Sequence, residues 1–430
     1  MSHAAPVSTA APTASAPFAE PQRAVSGLWI TAFATAWLGV WMAQLGPFRV
    51  ELPLQVAAAV GETESWTDAV TAFGVISGIA GAFMIVSFPV AGFLSDRTTS
   101  RFGRRRPWIV VGAAVFALAL IALGLVQGIV LITVFWTLAL IGFSIIASAL
   151  TALISDIVPV RQRGYVVGWM SSPRAAGIIL GVVLFTYVFT TAALGYVAMA
   201  MALALLVVPI LVFGKETPIT KAERPAATVG ALLGGLWISP KKYPDFAWTW
   251  VSGFLVNAGN ALGTGLLLYY VAHELGFGID KASKAFLPLI LVYLVGVVLS
   301  ALVVGRLSDR IRRRKVFVVW GALIQAFAAL ILVFVTDYTV TFVAGVLLGL
   351  GYGAYLAVGQ ALATQVLPSA RDRAKDLGIM NVAYQVPVAM APWLGAAVVA
   401  SLGGFDGLFM IAGALTALGA AVIALVNGVK

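Results

Sequence analysis

Gly92-Phe-Leu-Ser-Asp-Arg-Thr-Thr-Ser-Arg-Phe-Gly-Arg-Arg-Arg-Pro107 is a dense cationic loop clamped between two long apolar runs. It recurs: Gly305-Arg-Leu-Ser-Asp-Arg310, followed by Arg312, Arg313, Arg314 and Lys315, repeats its Gly, Leu, Ser, Asp and Arg in register. A basic loop that appears twice among apolar segments marks a duplicated membrane protein whose two halves carry the same cytoplasmic hinge.

The rest of the chain agrees. Of its 430 residues 61% are apolar and 10% charged, whereas soluble domains are about 25% charged, so lipid must be part of its solvent. The net charge of +10 does not predict a nucleic-acid partner, because the basic residues sit in loops between apolar runs and form no face of a folded surface. There is no cysteine and there are two histidines, His3 and His273, which leaves no basis for a disulfide, a thiolate nucleophile or a metal site. No cofactor is predicted.

Residues 1–26 are rich in Ala, Ser, Pro and Thr and are expected to form a disordered cytoplasmic tail. Twelve apolar runs follow, over about 28–58, 69–93, 108–127, 129–154, 163–190, 193–213, 246–272, 285–307, 316–336, 339–366, 378–401 and 405–427. Each is near the about 20 residues that a bilayer core demands. With the amino terminus inside, all but four of the 27 Lys and Arg fall on the cytoplasmic side, the exceptions being Arg49, Arg174, Lys281 and Lys284. Positive loops are retained in the cytoplasm, so both termini are expected there, in a plasma (inner) membrane. The Pro- and Lys-containing stretch 214–245 is read as a cytoplasmic linker, with a short interfacial helix over Thr228–Ile238. It divides a bundle at 27–213 from one at 246–430. The expected fold is all-α, twelve transmembrane helices in two pseudo-symmetric six-helix bundles about a central cavity.

The repeated loop resembles the signature between helices 2 and 3 of the major facilitator superfamily, Gly-x-Leu-Ala-Asp-Arg-x-Gly-Arg-Arg. Its longer form, Ser-Asp-Arg-Thr-Thr-Ser-Arg-Phe-Gly-Arg-Arg-Arg-Pro, looks like the sucrose transporter and glycoside-pentoside-hexuronide branch. The resemblance implies secondary transport by alternating access, and a conformational gate at Gly92, Asp96, Arg97, Arg104, Asp156, Gly305, Asp309, Arg310 and Asp376. In it Asp96 caps helix 11 near Asp376-Leu-Gly378, and Asp309 faces helix 5 near Arg163-Gly164. Loops 4-5 and 10-11 also echo one another, Asp156-Ile-Val-Pro-Val-Arg-Gln-Arg-Gly against Gln365-Val-Leu-Pro-Ser-Ala-Arg-Asp-Arg. Asp156 is expected within reach of Arg97 or Arg104. Two features depart from the branch. Leu140-Ile-Gly-Phe-Ser lacks the Asp and Asn of plant members, and helix 2 holds Asp68 alone, where sodium-coupled relatives pair two Asp.

Within the spans, Arg174 lies near mid-depth, where a central Arg costs about 2.5 to 3.5 kcal/mol unless it finds a partner or water, so it should face the cavity. Arg49 and Glu51 follow Pro47. Either helix 1 ends there and both are solvated, or Glu51 lies inside the span and pairs with Arg174 or Arg49, or carries the proton. Asn257 and Asn260 share one helix face, as do Asn381 and Gln385. Tyr355 and Gln360 on helix 10 and the rings of Trp37 and Trp41 complete a set suited to a hydroxylated sugar, since amides match hydroxyls and rings stack on apolar sugar faces. Gly345, Gly349 and Gly353 form a close-packing ridge and no phosphate loop, and no Gly-x-x-x-x-Gly-Lys occurs, so neither an enzyme nor an ATP-driven pump is expected.

The partners implied are a sugar or glycoside, protons and the lipid bilayer, with the chain acting as a monomer. Proton-coupled efflux of amphipathic drugs or metabolites is the alternative, since Pro173, Gly177 and Gly181 resemble an antiporter motif. A transporter-fold assembly factor that moves nothing is a third reading.

Overall fold

In the computed structural model, all residues are described except 1–20, 62–64, 190, 215, 217, 220–237, 312, 367–372 and 427–430. The expected interfacial helix therefore falls almost wholly outside the described residues, as do most of the tail and part of loop 10-11. All regular structure among the described residues is helical. Among the described residues twelve helices are long and apolar enough to cross a membrane: α1 Gly27–Val60, α2 Trp66–Asp96, α3 Arg106–Leu125, α4 Ile129–Ile157, α5 Arg161–Val188, α6 Ala192–Phe213, α7 Pro244–Glu274, α8 Ile279–Ser308, α9 Arg314–Phe334, α10 Tyr338–Ala363, α11 Val382–Leu402 and α12 Phe405–Ile423.

The duplication read from the loops extends to the packing. In the first half α1 packs on α5 and α6, α3 on α4 and α6, and α2 on α4. Adding six to every number gives the main pairs of the second half, α7 with α11 and α12, α9 with α10 and α12, and α8 with α10. Small residues allow the close approaches, because lipid offers no hydrophobic drive between helices and backbone contact must supply the attraction. A Cβ at Gly181 would lie 2.6 Å from Gly46 Cα, and Gly177 abuts Met42 in the same α1–α5 seam. Gly177 and Gly181 thus serve helix packing. On α10, a Cβ at Gly349 or Gly353 would lie 2.2 Å from the carbonyl oxygens of Tyr293 or Val297 on α8, as the ridge reading requires. Gly353→Ala is expected to lower the apparent melting temperature by several degrees, since overpacking against backbone costs about 1 to 3 kcal/mol. An unchanged melt would show that α8 gives way freely.

Each basic loop also fastens the last helix of its own half. Arg106 donates to the carbonyls of Leu211 and Val212 at the end of α6, and Lys315 donates to those of Ala424 and Val426 just past α12, at 2.6 and 2.7 Å. The last carbonyls of a helix have no intrahelical donors, and a cation there also suits the helix dipole.

Contacts between the bundles gather on the face opposite the basic loops. Helix α2 lies along α11, with Gly74 against Ala396, Gly78 against Trp393 and Gly81 against Ala389. Trp66 stacks between His273 and Phe405 at 5.3 and 5.5 Å. On the basic side, Tyr165 and Trp169 of α5 and Val90 and Leu94 of α2 are exposed. The hydrogen bonds Arg49–Thr264 and Tyr269–Pro53 and the ring contacts of Trp66 and Phe73 join the bundles on the far side or at mid-depth.

Candidate functional site

The site is built on irregular turns. Helix α1 does not stop at Pro47; it widens into a π turn over Pro47–Glu51, in which Leu52 N–H reaches the Pro47 carbonyl, and continues as Leu52–Val60. Proline lacks an N–H and crowds the preceding turn, and a wide turn relieves both problems. Arg49 and Glu51 are therefore inside the span, but two residues apart, on opposite faces.

Arg49 points across the bundle interface. Its Nη1 donates to the Thr264 carbonyl at 2.7 Å, an acceptor in the last turn of Pro244–Gly265, where α7 breaks at Leu266. Tyr269, just beyond that break, donates its hydroxyl back to the Pro53 carbonyl at 2.9 Å. The two bonds make a reciprocal clasp between α1 and α7. Arg174 lies with its guanidinium 5.1 Å from the ring centre of Trp41, and Trp41 donates to the Met170 carbonyl. Arg49 and Arg174 are close enough to repel each other, and Tyr293 on α8 and Tyr352 on α10 are within range of both. Two arginines, one indole and two phenols thus converge at mid-depth from α1, α5, α8 and α10.

Several expected residues stand elsewhere. Glu51 pairs with neither arginine; it turns into the amino-terminal bundle, within range of Tyr196, whose hydroxyl donates to Gln55 at 2.9 Å. Asn257 and Asn260 are buried and spent inside the carboxyl-terminal bundle: Asn257 accepts from Tyr352 at 2.9 Å and donates to the Gly253 carbonyl, while Asn260 accepts from Tyr293 at 3.1 Å and donates to Gln325. These bonds fix the hydroxyls of the two tyrosines. Trp37 is buried beneath Trp41, its ring stacked at 5.4 Å. Tyr355 is buried in a cluster with Val256, Val318 and Val358, and Gln360 and Gln385 are exposed. The side chains of Asn381, Asp376 and Asp309 lie outside what the structure describes.

Tyr293 was missed by the sequence reading, although a lone phenol in the apolar run Leu289-Ile-Leu-Val-Tyr-Leu-Val-Gly296 is itself a signal. Asp68 belongs to a capping box at the start of α2, where Ser65 N–H donates to its carboxylate, which accounts for it without an ion.

On the basic face Asp156 bridges two buried arginines, Arg104 at 2.7 Å and Arg105 at 2.8 Å. The Arg104 pairing is as expected, while the central part of Arg105 was not anticipated. Arg105 also binds Asp96 and Ser95, so the described bond of Asp96 is to its own loop rather than to α11. Arg97 stacks on Phe93 at 4.8 Å, and Arg310 is exposed. Gly92 and Gly305 occupy matching places, facing Ser148 on α4 and Ala357 on α10.

Glu216, in the chain that leaves α6, accepts the Arg105 backbone N–H with both carboxylate oxygens at 3.1 Å. Burial first, and Asp156 nearby, raise its pKa above the ordinary carboxylate value, against the lowering effect of the Arg105 bond. A group whose pKa is raised on folding lends stability that fades as pH climbs through the raised value. Glu216→Gln is therefore expected to reduce the fall in melting temperature as pH rises above the ordinary carboxylate range, and an unchanged slope would assign that fall to other groups.

Comparison with known proteins accords with this architecture. A family model of the Major Facilitator Superfamily matches residues 28–291 and 272–428. A general alpha-glucoside permease of Schizosaccharomyces pombe (strain 972 / ATCC 24843) is 28% identical over 193 residues, which cover 40% of this chain and 32% of the permease. The match thus spans about a third of that relative's length. Two solved structures share the fold. A POT family transporter in complex with a thioalcohol conjugated peptide has a TM-score of 0.67 and 12% identity, over 93% of this chain and 94% of that one. A POT family transporter in complex with 5-aminolevulinic acid has a TM-score of 0.68 and 13% identity, over 94% and 98%. With the superfamily matched along nearly its whole length and twelve membrane-spanning helices arranged as a doubled six, the chain belongs to the Major Facilitator Superfamily, a family of membrane transporters and not of enzymes.

Proposed function

We propose that the protein is a secondary active transporter that moves a sugar or glycoside together with protons by alternating access, in a plasma membrane with both termini cytoplasmic. The observation that carries this reading is the convergence of Arg49, Arg174, Trp41, Tyr293 and Tyr352 at the meeting of the two bundles. Such a site is reached from one face at a time if the bundles rock about it. The Trp41 ring and the two phenols offer what a hydroxylated ring needs, an apolar face to stack on and oxygens that accept hydrogen bonds. The similarity to an alpha-glucoside permease over part of the chain supports a sugar in particular.

Proton coupling is assigned to Glu51. Among the described residues of the spans it is the one carboxylate away from the helix ends, and it neighbours the Tyr196–Gln55 pair. Burial disfavours a charged carboxyl, so a change in water access would move a proton on or off it.

The test is uptake of labelled glucosides into proteoliposomes under an imposed pH gradient. Inward accumulation is expected, at least tenfold reduced in Glu51→Gln while exchange of labelled for unlabelled solute persists. Outward movement under the same gradient would convert the assignment to efflux, and no movement of any solute would remove it.

A further inference from the structure

Arg49 and Arg174 have no acidic partner among the described residues; the ion pairs described join Asp96, Arg104, Arg105 and Asp156 on the basic face. Two guanidinium groups that repel each other at mid-depth are costly, and no described carboxylate neutralises either of them. Their donors are unspent as well. Arg49 uses Nη1 on a neutral carbonyl, while its Nε is buried without a partner. Arg174 lies on the Trp41 ring, a contact that needs only the flat face of the guanidinium and leaves the N–H groups at its edge free. Such a planar fork matches the oxygens of a carboxylate or phosphate. A neutral sugar would leave both charges uncompensated.

We propose that Arg49 and Arg174 form a binding site for a doubly charged oxyanion, and that the transported solute carries one, a phosphate monoester first of all. A phosphate monoester bears about −1.5 to −2 charge near neutral pH, which matches the pair, and it has enough oxygens to engage both forks. A carboxylate would match half of that charge. Tyr293 and Tyr352 remain to receive the uncharged part of the molecule, their hydroxyl protons already given to Asn260 and Asn257, so that they act as acceptors. Engagement of Arg49 by an anion would also draw it from the Thr264 carbonyl, linking solute binding to the α1–α7 clasp. This inference rests on the meeting point of the two bundles being a solute site, as proposed above, and changes the kind of sugar it takes.

The test is a thermal-shift titration of the purified full chain with inorganic phosphate, D-glucose 6-phosphate, D-glucuronate and D-glucose at matched ionic strength, since a ligand that binds the folded state raises its melting temperature. Glucose 6-phosphate is expected to bind at least tenfold more tightly than glucuronate, and glucuronate more tightly than glucose. Inorganic phosphate should give a weaker shift at the same site. Arg174→Gln should abolish the preference for the phosphate ester while the unliganded melting temperature stays near that of the parent. Arg174→Lys, which keeps the charge and loses the fork, should fall between. Equal or tighter binding of glucose, binding of glucuronate as tight as that of glucose 6-phosphate, or a phosphate response that survives Arg174→Gln would each overturn the proposal. Accumulation of a neutral glucoside in proteoliposomes with no response to any anion would sink this inference and leave the transport assignment standing.

Discussion

Asp156→Ala should lower the apparent melting temperature of the purified protein by roughly 6 to 20 °C. The carboxylate bridges Arg104 and Arg105, whose side chains are 8% and 4% exposed, and removal of one partner from a buried ion pair costs about 3 to 5 kcal/mol because the other charge stays buried. Each kcal/mol moves the melt of a unit of this size by roughly 2 to 4 °C. Arg105 would keep Asp96, which is half exposed and offers weaker compensation. Asp156→Asn retains one neutral acceptor and should fall between. A shift below about 3 °C for Asp156→Ala would mean that water reaches the arginines and that the bridge contributes little.

Gly74→Leu should displace the balance between the two openings of the transporter. A Cβ at Gly74 would lie 2.3 Å from Ala396 Cβ, and the larger side chain would meet an α11 surface with no flexible end to move aside. Overpacking of about 1 to 3 kcal/mol would act only while α2 lies along α11, so the population ratio should shift by roughly 5- to 150-fold away from the state seen here. The chain has no cysteine, which makes the readout direct. A single cysteine in place of Trp66, now enclosed by His273 and Phe405, should become much more reactive toward an impermeant maleimide. One in place of the exposed Trp169 should become less reactive. Unchanged reactivity at both positions would show that the α2–α11 contact does not set the state.

Much of the fold was legible because apolar length and the placement of positive charge are properties of the chain itself. The repeated basic loop disclosed the duplication, and the six-step repetition of helix pairs is its packing counterpart. The candidate site was less legible because it depends on which face a residue takes after a local distortion. Asn257 and Asn260 looked like sugar ligands because amides are rare in lipid, yet their helix turns them inward to hold Tyr352 and Tyr293. One of the readings open for Glu51 placed it beside Arg174 or Arg49, but two residues along a helical turn reverse the direction, and the π turn keeps that reversal. Arg105 was indistinguishable in sequence from its neighbours Arg104 and Arg106, and only the loop's path decides that Arg104 and Arg105 meet Asp156 while Arg106 turns to the end of α6.

The fastening of Arg106 to the end of α6, and of Lys315 to the chain just past α12, carries a consequence for biosynthesis. During synthesis the cationic hook emerges four helices before the carbonyls that receive it, so a nascent half waits with an unsatisfied grip until its final segment leaves the ribosome. Each half then completes its own closure without help from the other, and a polypeptide cut between Glu216 and Ile238 should reassemble from two co-expressed fragments.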